Sequence, residues 1–187
     1  MKKSLIAIVL FILIAAGYFF FFFTNFHEVD RGVLYRSKQM SAVQLDEAIK
    51  QYGIQTVINL RGASVGSDWY RDEVRISKSR HVDHLDFRLS ATHYVPPATL
   101  DSMMTIAESA RKPILVHCQA GADRAGLFSA AWKLKIDKTS PEEASRQLSV
   151  LYGHVPYLYD KTWEMDRSFS DYVRFLRYYG KRDKTGF

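Results

Sequence analysis

The apolar and polar positions change period several times along the chain, and each change marks an element. Leu5–Phe23 has no polar face at all and is apolar throughout. Val33–Ser37 reads as a brief strand. Ser41 opens a helix in which Gln44 completes a capping box, and Gly53 closes it. Ile54–Leu60 is a β-branched apolar run, the pattern of a buried strand. Arg61–Ser67 is a loop, and Ser67 caps a helix reaching Ser79. Val82–Leu89 alternates as a strand does. Ser90–Pro97 is a loop, followed by a helix over Ala98–Ala110. Pro113–His117 is a short buried strand that leads into a helix over Arg124–Ile136. Ser140–Glu143 combines an N-cap, a proline at the first helical position and a capping box. The last helix is predicted over Lys161–Tyr179, stopped by Gly180.

Strands that alternate with helices indicate an α/β fold: a central, mostly parallel sheet flanked by helices. The expected organisation is an N-terminal membrane anchor over residues 1–23, a tether over 24–32, one domain over 33–180 and a tail over 181–187. At about 1.5 Å per residue the Leu5–Phe23 run spans roughly 28 Å, close to a bilayer core. A cleaved signal peptide is the alternative, but the apolar run continues past the small residues of Ile14–Gly17. Lys2 and Lys3 precede the run, which places the N-terminus in the cytoplasm and the domain outside, in the periplasm of a bacterium.

Composition narrows the function classes. Hydrophobic residues make up 47% and charged residues 25%, the balance of a folded domain. The formal net charge of +6 suits an anionic substrate or an anionic membrane surface, and no nucleic-acid motif accompanies it. The one cysteine, Cys118, excludes an internal disulfide and a multi-cysteine zinc site.

That cysteine stands at the carboxyl end of a predicted strand, where ligands sit in open α/β sheets. Five residues separate it from Arg124. A phosphate needs several N–H donors, a bidentate cation and an in-line nucleophile. The backbone of Gln119, Ala120, Gly121, Ala122 and Asp123, at the start of a helix, supplies the donors. Gly121 permits a tight turn and Gly126 close packing inside the helix. Arg124 can fork onto two phosphate oxygens. The same donors favour a thiolate at Cys118, with His117 beside it as a candidate support for the loop. The chemistry suggested is thiolate attack, a cysteinyl-phosphate and its hydrolysis. A buried, inert cysteine is the competing reading.

"VHCQAGADRAG" (Val116–Gly126) resembles the signature of the cysteine-dependent protein tyrosine phosphatase superfamily: His-Cys, five residues, Arg. "GVLYRSKQ" (Gly32–Gln39) and "GIQTVINLR" (Gly53–Arg61) resemble the opening elements of atypical dual-specificity phosphatases, and the likeness covers Val29–Gly153. The resemblance implies Cys118 as nucleophile, Arg124 as phosphate binder, residues 119–124 as cradle, and no metal or other cofactor. Two positions depart from the family. Ala125 replaces the hydroxyl residue that helps release the thiolate. The loop Ser90–Leu100 lacks the usual acidic proton donor. Asp123 is the preferred acid, by resemblance to lipid phosphatases of the myotubularin and Sac types, with Asp86 and then His93 as alternatives. Arg36 and Arg61 are candidate substrate contacts or salt-bridge partners, and His154 is expected to pack on the loop. Phosphoproteins are the first substrate class expected, a phospholipid or inositol phosphate the second. A catalytically weak phosphate-recognition module is the third reading.

Overall fold

The computed structural model describes residues 10–12, 24–158 and 161–185. Five strands form one sheet in the order β1-β2-β5-β3-β4. These are β1 (His27–Asp30), β2 (Leu34–Lys38), β3 (Thr56–Asn59), β4 (Asp83–Asp86) and β5 (Ile114–Cys118). Among the described residues from 24 on, six α-helices accompany them: α1 (Ala42–Tyr52), α2 (Asp68–Ser79), α3 (Pro97–Ser109), α4 (Asp123–Lys135), α5 (Pro141–Ser145) and α6 (Glu164–Thr185). A 3-10 turn spans Val150–Tyr152.

The local signals act as physical chemistry requires. Ser41 accepts from the Gln44 amide and Gln44 reaches back to the Ser41 amide, while Gly53 ends α1 in the left-handed region at φ 64°. Ser140 caps α5 with Pro141 at its first position. β3 and β5 are buried throughout because helices cover both faces. On one face Leu34, Ile58, Ile114 and Val116 pack with Leu100, Met104, Phe128 and Trp132 of α3 and α4. On the other, Tyr35, Val57 and Leu115 pack with Leu45 and Ile49 of α1. Each fully buried large side chain contributes about 1.5–3 kcal/mol of apolar transfer.

The sheet is mixed, which corrects the expected tether. Residues 27–30 form β1, antiparallel to β2, through a turn in which the Val33 amide donates to Asp30 O at 3.0 Å. A strand this short buries only Val29, so its period-2 pattern has almost nothing to register. β4 is shorter than the predicted run to Leu89, because the chain leaves the edge after Asp86 to build a loop. α6 starts at Glu164 and runs through Gly180, so the predicted tail begins inside a helix. One glycine costs a helix about 1 kcal/mol relative to alanine and does not by itself end it. Apart from residues 10–12, the expected anchor lies outside the described residues. Among those described, no helix is long and apolar enough to cross a membrane.

Candidate active site

β5 lies between β2 and β3, and Cys118 is its last residue, level with Lys38 of β2. The sheet therefore delivers the sulfur to its carboxyl edge, buried. The chain turns through Gln119–Ala122 and enters α4 at Asp123. Gly121 holds φ +73°, and a Cβ there would stand 2.6 Å from Lys38 N and 2.7 Å from the Ser37 carbonyl carbon, so only glycine fits. Its amide donates to Cys118 Sγ at 3.2 Å. No side chain caps α4, which leaves first-turn amides available to an anion.

Every carbonyl of the turn is engaged from outside. The Gln39 amide donates to Gln119 O at 3.2 Å. Asn25 Nδ2 donates to Ala120 O at 3.0 Å. Arg36 Nη2 donates to Gly121 O at 2.7 Å and to Ala122 O at 3.0 Å. With its oxygens held away, the loop is left with N–H groups to offer a ligand. The residues that hold the loop in this form lie far off in sequence. Asn25 falls in the stretch read as tether and was not anticipated.

Arg36 was a candidate substrate contact, and the structure places it elsewhere. It is fully buried beneath the loop. Nη1 donates to Gln147 O and Oε1 at 2.8 and 2.9 Å, and the guanidinium lies 4.3 Å over the Tyr152 ring. Burial pushes Arg36 down to about 10, against the attraction of Cys118, Tyr152 and Asp123. It stays cationic at neutral pH and adds a fixed positive charge under the cradle.

Asp123, the preferred acid, faces His154: Oδ1 lies 2.7 Å from Nδ1. His154 Nε2 lies 3.0 Å from Asp166 Oδ2. Burial disfavours the charged imidazole, but the bonds to Asp123 and Asp166 outweigh it and push His154 up to about 9. At neutral pH His154 is a cation, bonded to Asp123 on one side and Asp166 on the other. His154 thus packs against the loop, as its sequence position suggested. Asp86, the second candidate, accepts from Asn59 Nδ2 at 2.7 Å and Tyr70 OH at 2.6 Å, so both oxygens are occupied.

His117 is buried with Nε2 3.1 Å from Glu73 Oε2, a close separation without the alignment of a straight hydrogen bond. Glu73 is buried, which favours its neutral form. His117, together with His84 at 2.8 Å and Gln39 at 2.6 Å, outweighs that cost and holds Glu73 down at about 2. Gln39 in turn accepts from Arg61 Nη1 at 3.1 Å, and the Arg61 guanidinium stacks 3.7 Å over Trp69. Burial lowers Arg61, and so does the neighbouring Arg124 charge.

Arg124 donates from Nη1 to Leu89 O at 3.3 Å and lines a cleft of about 730 Å³. Arg61, Arg88, the loop Leu89–Pro96 and Thr99 form the rest of its wall. Here His93 lies exposed, Nδ1 held by Ser90 Oγ at 2.9 Å and Thr92 Oγ1 at 3.2 Å. The cleft thus collects Arg124, Arg61 and His93. Cys118 lies at the base of the loop that carries Arg124, and Asp86 and Asp123 are bonded to other groups.

The human protein named phosphatidylglycerophosphatase and protein-tyrosine phosphatase 1 is 27% identical over 139 residues. That match takes in 70% of this chain and 66% of the relative's length. TpbA of P. aeruginosa, solved in complex with pTyr, superposes with a TM-score of 0.60 at 22% identity, over 80% of this chain and 83% of that one. PTPMT1 superposes with a TM-score of 0.65 at 16% identity, over 84% and 99%, and has also been solved with PI(5)P. These structural likenesses establish the shared fold. Residues 23–140 match the tyrosine phosphatase family, so the chain, whose matched span contains the whole Cys118–Arg124 loop, belongs to that family.

Proposed function

We propose that the protein is a cysteine-dependent phosphomonoesterase whose substrates are phosphorylated lipid headgroups. The observation that carries the substrate class is the cleft wall: Arg124, Arg61 and Arg88 share it. Arg124 serves the phosphoryl group being transferred. Arg61, held in place by Gln39 and Trp69, and Arg88 offer a second anion site, which a headgroup with two phosphates fills and a single phosphotyrosine does not. Phosphoproteins, first by sequence alone, become the second reading.

In the first step the Cys118 thiolate attacks phosphorus. The S–P bond forms, the ester P–O bond breaks, and the departing oxygen takes a proton. Asp123 is engaged by His154, and Asp86 is bonded on both oxygens. His93, its Nδ1 held by two hydroxyls on the cleft wall, acts as the imidazolium: it gives its Nε2 proton to the departing oxygen and is left as the neutral imidazole. In the second step His93 accepts a proton from water as water attacks phosphorus, and the P–S bond breaks to regenerate the thiolate. Ala125 offers no hydroxyl to this step.

The experiment is a substrate panel without added metal. Headgroup monoesters with a second phosphate are expected to exceed phosphotyrosyl peptides in kcat/KM by about tenfold, the worth of one charge-assisted contact. Arg88→Gln should erase that preference. A preference for peptides that Arg88→Gln leaves intact overturns the substrate class. His93→Asn should slow esters with poor leaving groups by about 10²–10⁴ and spare activated aryl phosphates. His93→Asp, a carboxyl in the same place, should restore the poor ones. Equal loss on both kinds of ester returns the acid's role to Asp123 or Asp86.

A further inference from the structure

Four apolar side chains beside the catalytic loop have no core to join. Val150 and Leu151 are 65% and 70% exposed, and Tyr157 and Leu158 are 94% and 77% exposed. They stand on a segment fixed to the loop from below: His154 binds Asp123, Tyr152 lies under Arg36, and a Cβ on Gly153 would touch Ala122 Cβ at 3.7 Å. Clusters of exposed apolar residues on a rigid base mark a docking face.

The topology says what that face meets. Because β1 runs antiparallel to β2, with His27 opposite Arg36, it begins at the edge of the sheet where β2 and β5 end. The start of β1 is therefore brought to that edge. Asn25 Nδ2 donates both to Ala120 O of the phosphate loop and to Tyr152 O of the exposed segment, each at 3.0 Å. The apolar run in the sequence ends at Phe23, two residues earlier. Two residues reach at most about 7 Å. A run of bilayer-spanning length in the sequence this close to Asn25 would lay the neighbouring apolar side chains against the same bilayer.

We propose that the face formed by Val150, Leu151, Tyr157 and Leu158 seats on the lipid surface and holds the phosphate loop at headgroup level. The inference deepens the lipid reading above and rests on it for the substrate alone. The full chain, reconstituted in vesicles containing anionic phospholipid, tests it. In a Cys118→Ser background, an environment-sensitive fluorophore is placed through Leu158→Cys, Leu151→Cys or Ile106→Cys, the last on α3 near the opposite edge of the sheet. Brominated acyl chains should quench the labels at 158 and 151 and leave 106 bright. Separately, Leu151→Ser with Leu158→Ser should lower turnover of a vesicle-embedded phospholipid monoester by about tenfold. Turnover of a soluble aryl phosphate should not change. Unquenched labels at 151 and 158, or failure of the chain to float with vesicles, overturns the proposal, including the case in which the face docks a protein. Absence of aryl phosphate turnover in the unmodified chain would instead strike at the phosphatase reading, and the quenching result would still stand.

Discussion

Arg36 shows how a residue's role depends on what surrounds it. It precedes a strand end near the motif, which suggested a substrate contact, yet it is buried and binds the carbonyls of Gly121 and Ala122. Arg36→Gln would strand those oxygens and remove a buried cation, at a cost of about 3–5 kcal/mol. Urea unfolding should show that loss as a lower midpoint at unchanged slope. Arg36→Lys should not restore stability fully, because one ammonium lacks the planar fork that serves Gly121, Ala122 and Gln147 together. The Cys118–Arg124 loop was legible because its parts are contiguous in sequence. Asn25 and Arg36 were not, because they reach the loop from 95 and 85 residues away and no local pattern records that contact.

At the scale of elements, His154 joins α4 to α6 by binding Asp123 and Asp166, and this makes the joint sensitive to pH. The imidazole is raised from 6.5 to about 9 in the folded chain. Its contribution is fully present below pH 6.5, declines as pH rises, and is lost through pH 9. Melting curves from pH 6.5 to 10 should show a falling Tm, by about 2–4 °C for each kcal/mol lost. His154→Gln should flatten that fall, and an unchanged pH slope in the variant would refute the joint. Helix boundaries with chemical signatures were legible, as Ser41 and Gln44 at α1 and Ser140 at α5 show. β1 was not, since four residues with one buried side chain carry no readable alternation. Its antiparallel pairing is nonetheless what brings Asn25 to the catalytic edge.

For the molecule as a whole, the α/β class and the placement of the site at a strand's carboxyl end follow from alternating elements and a motif between two of them. The proposed lipid headgroup substrate did not, because Arg61, Arg88 and Arg124 meet only in the folded cleft. The lipid and phosphoprotein readings of this site share one claim, that Cys118 carries the phosphoryl group. Rapid acid quench during turnover, followed by mass analysis of the peptide containing Cys118, measures it directly. The prediction is an adduct of one phosphoryl group on Cys118 without added metal. Because Ala125 lacks the releasing hydroxyl, Ala125→Ser should lower the adduct's steady-state level. Turnover without any adduct, or turnover that survives Cys118→Ser, would contradict the account.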